Sequence, residues 1–343
     1  MTKPTGAKHF FRPVAILGVL TSVFVVSSLF GPPSLKNVAI TNVAISSTGH
    51  WLAAGPRDSK VDICVIDGPA NCRTVNNNGG ELNDLQFSPD EHFLAIANDD
   101  IRLIGLAGDA ASFFLREDHR KYGTVRFNKG GRELLTINSH SEIELFDISS
   151  RKPSTRICCS TFYGEVALFE DGTRVANAGH WPRVWTRSGQ LIKSLTEYRQ
   201  NETLRPISVD EKGRRIFMGS QDGRIYAWSL IDFGLLNKSR AEPGYVDTIA
   251  LVPNADLLAS CSFGKPIHVW STATLARVAA LQASCSSNIV TLPDGVSILF
   301  GTDSGTVQIW NLEGSPHLTS EVRISGKRSR TAEIGIQRGR RDE

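Results

Sequence analysis

Short apolar runs alternate with polar turns from residue 38 to residue 325, and the alternation itself repeats. An apolar run closes at a hydrophobic position and passes into a turn rich in Ser, Pro, Asp and Gly. That position recurs at Ile45 (ISSTG), Phe87 (FSPDE), Phe127 (FNKGG), Phe169 (FEDGT), Val209 (VDEKG), Leu251 (LVPNA) and Thr291 (TLPDG), at intervals of 42, 40, 42, 40, 42 and 40 residues. A second apolar run follows each turn, as in HWLAAG, HFLAIA and DLLASC. A polar turn and a third run come next, as in VDICVID, EIELFD and PIHVWS. A more variable fourth run precedes the next unit, as in ARVAALQ or QLIKSL. Runs this short, with alternating character and bounded by turn residues, are strands. Four strands per unit, seven times, predict an all-β, seven-bladed β-propeller. Each four-stranded unit has two apolar faces it cannot bury alone, and stacking around an axis buries both and leaves only short edges.

The third strands carry a family resemblance. Trp185, Trp228, Trp270 and Trp310 stand at strand ends, Phe146-Asp147 is close to a Trp-Asp dipeptide, and Phe87-Ser88-Pro89-Asp90 matches the family's first turn. Over roughly 38–325 the chain resembles the WD-repeat propellers, which implies architecture and leaves function open. The departures are clear. The family's Gly-His pair before the first strand is missing in all seven units. Tyr245 follows Gly244 in the sixth, and Tyr122 and Tyr163 lie near the matching places in the third and fourth. The chain therefore resembles a divergent propeller of that kind, with the His-centred hydrogen-bond networks lost or replaced. Closure of the ring calls for a last strand in the seventh blade, from residues 35–38 or, preferred here, from 317–324.

Ahead of the repeats, residues 14–30 (VAILGVLTSVFVVSSLF) carry no charge and end at Gly31-Pro32-Pro33. At ~1.5 Å per residue such a helix reaches about 26 Å, slightly short of a ~30 Å hydrocarbon layer. It reads as a transmembrane anchor or as a signal peptide with a cut after Ser28; a buried helix fits poorly, since no amphipathic period is visible. Lys3, Lys8 and Arg12 precede it within the basic segment 1–13, and only Lys36 follows closely. The positive-inside rule keeps that end in the cytoplasm and exports the propeller. The alternative is a propeller facing the cytoplasm, the commoner place for WD-like folds.

Charge adds a second exclusion. The chain has 38 Lys+Arg against 35 Asp+Glu, a net +3, yet residues 13–325 are net −3 and the basic excess sits in the two ends. A mildly acidic body makes no broad nucleic-acid surface, which needs clustered positive charge. The tail 326–343 is basic and without apolar period, the composition of a disordered segment. Hydrophobic residues at 41% suffice for a large core.

Candidate chemistry is sparse. The eight histidines form no short-range metal motif, and no metal or cofactor is implied. Gly301-Thr302-Asp303-Ser304-Gly305 lacks the order of a nucleophile elbow and sits at a hairpin turn. Six cysteines are too few for a disulfide scaffold, but Cys64 and Cys72 flank the turn 67–70, each four residues from Gly68. A cross-strand disulfide there is within reach, as is a pair of ordinary thiols. The adjacent Cys158 and Cys159 point to opposite faces if they lie in a strand.

The functional lead is a rim. In WD-repeat propellers the turns between strands two and three share a face with the loops leading into strand one. By resemblance that face holds Arg57, His140, His180, Trp181, Arg183, Phe263 and Lys265 from the turns. Tyr122, Tyr163, Arg205 and Tyr245 come from the loops. Trp, Tyr and Arg on exposed loops are the composition of interaction hot spots. The sequence therefore points to a non-catalytic protein-interaction scaffold, anchored at or exported across a membrane. The alternative is an exported propeller hydrolase or lyase with its site in the central channel.

Overall fold

The computed structural model describes residues 38–57, 60–66, 71–77, 80–106, 111–116, 120–157, 164–198, 202–240, 244–323 and 336–337. These build seven antiparallel sheets in which strand order follows chain order. Blade 1 comprises Asn42–Ile45, Trp51–Gly55, Val61–Val65 and Asn71–Val75; blade 2, Asp84–Phe87, Phe93–Ala97, Ile101–Gly105 and Phe113–Arg116. Blade 3 comprises Tyr122–Phe127, Glu133–Asn138, Ile143–Asp147 and Lys152–Ile157; blade 4, Val166–Leu168, Arg174–Asn177, Arg183–Thr186 and Leu191–Ser194. Blade 5 comprises Leu204–Asp210, Arg215–Ser220, Arg224–Ser229 and Leu235–Arg240; blade 6, Thr248–Val252, Leu257–Cys261, Pro266–Ser271 and Arg277–Ser284. Blade 7 comprises Ile289–Thr291, Ser297–Gly301, Thr306–Asn311 and His317–Arg323, with Ile336–Gln337 added on its outer edge.

The first strands contact one another around the axis, and the ring closes between blades 7 and 1. Second strands are the most buried, as FLAIA, ELLTIN and SILFG illustrate, because both of their faces meet a neighbouring blade. Apolar side chains between blades form successive packed layers. One holds Leu85, Phe87, Leu94 and Ile96 with Ile63 of blade 1, and another joins Phe300 and Ile298 to Val252 and Ile267.

His317–Arg323 is the fourth strand of blade 7, so every blade is built from contiguous chain. The seam is held instead by side chains and by short backbone contacts. The Asn288 carboxamide donates to Val43 O and accepts from Val43 N, both at 2.9 Å. Ser286 Oγ donates to Ile40 O at 2.8 Å, and Ile40, Val43 and Leu52 pack on Leu299 and Val307.

Residues 14–30 and most of the tail 326–343 lie outside the described residues. Among the described residues no helix is long and apolar enough to cross a membrane.

Candidate functional site

Antiparallel order sends each first strand away from one face of the ring and returns the second strand to it. The turns between strands two and three therefore lie beside the loops leading into the next first strand. Backbone hydrogen bonds stitch them together. Leu82 N donates to Arg57 O at 2.7 Å, Val246 N to Ser220 O at 3.0 Å, and Gly264 N to Cys285 O at 2.8 Å. This face is the rim.

Trp181 is 60% exposed on the turn of blade 4. The preceding His180 is also exposed; its ring lies 3.1 Å from Thr203 Oγ1, and the Tyr198 hydroxyl donates to its carbonyl. Arg183 is half-buried, its guanidinium 5.6 Å from the Trp185 ring centre. On blade 6, Tyr245 and Phe263 are 55% and 50% exposed. Their backbones are coupled, since Ser262 Oγ donates to Tyr245 O and Phe263 N donates to Asp247 Oδ2 at 2.9 Å. Lys265 is exposed on the same turn, and His140 on that of blade 3. Arg57 is exposed and pairs with Glu81 at 2.7 Å. Arg205 is exposed beside the axis, its carbonyl accepting from Glu165 N at 3.1 Å.

Tyr122 does not belong to the rim surface. It is completely buried between blades 2 and 3, against Ala95, Ile101, Leu103 and Leu115. Its amide donates to Asn98 O at 2.6 Å, which turns the ring inward as the strand begins. Tyr163 lies outside the described residues, as do Cys158 and Cys159.

A wider pattern emerges when every surface is compared. Nine large hydrophobic side chains are exposed among the described residues, and all but Val38 belong to blades 4, 5 and 6. Trp181, Tyr245 and Phe263 are on the rim. Leu191, Ile192, Leu236 and Val278 are on the outer strands, and Ile231 is on the turn feeding the outer strand of blade 5. Scattered exposed hydrophobics are ordinary; among the described residues these, Val38 apart, are confined to three adjacent blades of seven.

Two disulfides rigidify the rim and the edge. Cys64 and Cys72 are directly paired across strands three and four of blade 1, with Cα atoms 4.0 Å apart. Cys261 and Cys285, with Cα atoms 6.5 Å apart, tie the end of a blade 6 strand to the loop before blade 7. The second bond underlies the Phe263 turn. Its partners belong to different repeats, so no hairpin count could pair them.

The axis carries polar side chains that repeat spacing alone did not flag. Asn42 Nδ2 donates to Leu82 O at 2.9 Å, Asp84 Oδ2 accepts from Val125 N at 3.0 Å, and Thr248 Oγ1 accepts from Ile289 N at 3.0 Å. Each satisfies a backbone group of the next blade, in the manner of Asn288 at the seam. Arg126 pairs with Asp84 and stands 3.8 Å from Glu165. Withdrawal from water raises the Glu165 carboxyl to about 7; the Arg126 guanidinium opposes the rise and the Asp84 charge adds to it. These contacts hold blades together, and among the described residues no three His, Cys, Asp or Glu side chains gather to hold a metal ion.

The third-strand tryptophans explain the divergence. Trp270 Nε1 donates to Ser260 Oγ at 2.9 Å, from the neighbouring second strand. Asn177 takes the serine's place in blade 4 and accepts from Trp185 at 2.9 Å. Blades 5 and 7 have Met218 and Phe300 at that position. Trp228 accordingly reaches back to Thr196 O at 3.0 Å, and Trp310 turns to Gln308 Oε1 at 3.0 Å.

No family model matches the chain. Among curated proteins it is similar to the target of rapamycin complex subunit wat1 of Schizosaccharomyces pombe, 23% identical over 58% of this chain and 67% of that protein. It is also similar to the methylosome protein WDR77 of Xenopus laevis (22%, over 56% and 64%). The U3 small nucleolar RNA-associated protein 15 homolog of Xenopus laevis matches at 23%, over 61% and 41%. The chain thus spans from about two fifths to two thirds of these relatives. Among solved structures, the WD40 β-propeller domain of Doa1 superposes with a TM-score of 0.67 at 17% identity, over 82% of this chain and 95% of that one. Blade count, strand order, the third-strand tryptophans and these relatives agree: the chain folds as a seven-bladed β-propeller and is similar to WD-repeat proteins.

Proposed function

We propose that this protein is a non-catalytic interaction scaffold that docks protein partners on the sector formed by blades 4 to 6. The observation that carries the reading is the confinement of exposed large hydrophobics to those three blades. Trp181, Tyr245 and Phe263, with Arg183 and Lys265 close in sequence, give its rim edge the residue types that anchor interfaces. Leu191, Ile192, Leu236 and Val278 extend it down the outer strands, whose free edges are themselves pairing surfaces. Relatives named as a complex subunit and as a methylosome protein support a role in assemblies rather than in catalysis.

Residues 14–30 are the membrane anchor or export signal in this reading, with the propeller outside the cytoplasm. The disulfides Cys64–Cys72 and Cys261–Cys285 support that side, because such bonds persist in oxidising compartments. A reporter active only outside the cytoplasm, fused after Glu343, reads the topology. A silent fusion whose cytoplasmic counterpart is active overturns the export.

The docking test is a quantitative crosslinking experiment on the chain in its own membranes, comparing wild type with Leu236→Glu/Val278→Glu. Loss of the crosslinked partners from a variant that melts normally is the expected outcome. Unchanged partners remove this sector from consideration.

A further inference from the structure

A cleft of about 230 Å³ opens between blades 4 and 5 on the face opposite the rim, lined by Arg174, Glu211, Arg214, Leu230 and Ile231. These residues stand at turns that join strands one and two, or three and four, so the cleft lies in the docking sector but away from its rim edge. Both blades build it. The Glu211 carboxylate accepts from Glu170 N across the blade boundary, and Leu230 N donates to Arg214 O at 2.8 Å. Ser229 Oγ accepts from Ile231 N at 3.0 Å, which fixes the turn that leaves Ile231 71% exposed. Arg174 is held 4.3 Å above the Phe169 ring and 3.3 Å from Asp171.

Arg214 is the informative member. Its backbone is left-handed, φ 54°, at the turn position that glycine fills in blades 1, 3, 4 and 7 as Gly49, Gly131, Gly172 and Gly295. Glycine alone takes that conformation without strain, and aspartate and asparagine come next. Asp256 fills the place in blade 6, and Glu91 in blade 2 accepts from Thr48 N at 2.9 Å, linking blades 1 and 2. Arg214 is exposed, and its guanidinium has no hydrogen bond or ion pair among the described residues. Backbone strain with no internal contact to justify it marks a position kept for a ligand.

Charge and shape define that ligand. Asp171 answers Arg174, Glu170 lies 3.7 Å from Lys129, and Asp232 has Lys193 within electrostatic reach. Glu211 then stands alone against Arg214 and Lys212, and its carboxylate already bonds the Glu170 amide. The cleft thus has room for one more negative charge. Its volume falls below the ~300–1,000 Å³ of small-molecule pockets and suits one or two side chains. We infer that it receives an acidic residue of a docked protein partner, an aspartate or glutamate beside an aliphatic side chain. The carboxylate meets Arg214 and Arg174, and Leu230 and Ile231 cover the aliphatic neighbour. The inference rests on the docking reading of blades 4 to 6 and names the partner chemistry at their face away from the rim.

The test uses the purified full chain and a rhodamine-labelled, amidated peptide of sequence Gly-Ile-Glu-Leu-Gly, with Gly-Ile-Gln-Leu-Gly as its neutral counterpart. Anisotropy titrations are expected to show the glutamate peptide binding on the order of tenfold tighter, a preference that weakens as salt rises. Arg214→Gly removes the strain together with the guanidinium, so it is expected to melt no lower than wild type and to lose the preference. Arg214→Lys keeps part of it. Equal binding of the two peptides, binding of neither, or an Arg214→Gly chain that still prefers glutamate overturns the inference. Displacement of the peptide by acetate as effectively as by unlabelled peptide also overturns it, making the cleft a site for free carboxylates. The docking reading is judged separately. If Arg214→Gly keeps the crosslinked partners that Leu236→Glu/Val278→Glu loses, this inference falls and the sector stands.

Discussion

The side chain of Asn288 bonds both the amide and the carbonyl of Val43, joining residues 245 positions apart across the seam where the propeller closes. It imitates one rung of a β-ladder in a fold that shares no strand between its first and last blades. Val43 is wholly buried and Asn288 half-buried, so Asn288→Ala leaves two partly buried backbone groups without their side-chain partner. The expected cost is about 2–4 kcal/mol, or a melting point lower by about 4–10 °C. Asn254→Ala removes an exposed bond to Asp294 O between blades 6 and 7, and is expected to cost well under ~1 kcal/mol. Equal losses in thermal melts contradict the seam's role.

Tyr122 and Trp181 make opposite predictions. Tyr122→Ala opens a cavity between blades 2 and 3 and is expected to destabilise by about 3–5 kcal/mol. Trp181→Ala removes an exposed ring and is expected to change stability by less than ~0.5 kcal/mol. Urea titrations of both variants check this, and a reversed order refutes the division between core and rim.

The disulfides predict redox-dependent stability. Cys261–Cys285 closes a 24-residue separation and Cys64–Cys72 an 8-residue one. Loop-closure entropy assigns about 3.5 and about 2.5 kcal/mol respectively. Cys261→Ser/Cys285→Ser is therefore expected to lower stability more than Cys64→Ser/Cys72→Ser, with both pairs oxidised in chain taken from the cell. Intact-mass measurement after alkylation without reductant checks the bonding; alkylation at these four positions contradicts it.

Glu165 sets a pH dependence whose sign is unusual for a carboxylate. Burial lifts its pKa from the ordinary 4.5 to about 7. Between those values the folded chain holds more proton than the unfolded one, so this group's contribution to stability falls as pH rises from about 4.5 to about 7 and is level above. Glu165→Gln removes that slope. The melting point of the variant relative to wild type is expected to rise from pH 5 to pH 8. A difference that stays flat across that range contradicts the assignment.

Strand order and blade number were legible because the apolar period is long, regular and seven times repeated, and because four third strands end in tryptophan. The rim was legible only in part. Exposure of Trp181 follows from its Gly-His-Trp-Pro turn, where a large ring has no strand to bury it. Tyr122 stands at an equivalent-looking loop end, yet one turn of the backbone sends it into the core, and residue type carries no trace of that direction. The outer-strand aliphatics were invisible for a different reason. Val278 and Leu236 sit in apolar runs of their own, and only the absence of a further strand outside the fourth exposes them. Asn288, Asp84 and Thr248 read as ordinary polar strand starts until the closed ring sets each against the backbone of the next blade.

The central claim, that blades 4 to 6 are the docking sector, is tested most directly by hydroxyl-radical footprinting of the chain in its native membrane and after purification in detergent. The account predicts that Trp181, Leu236, Phe263 and Val278 are protected in the membrane and labelled once purified, while exposed outer-strand residues of blades 1 and 3, such as Arg73 and Lys152, are labelled equally in both. Equal labelling of blades 4 to 6 in the two states, or protection confined to blades 1 to 3, would contradict it.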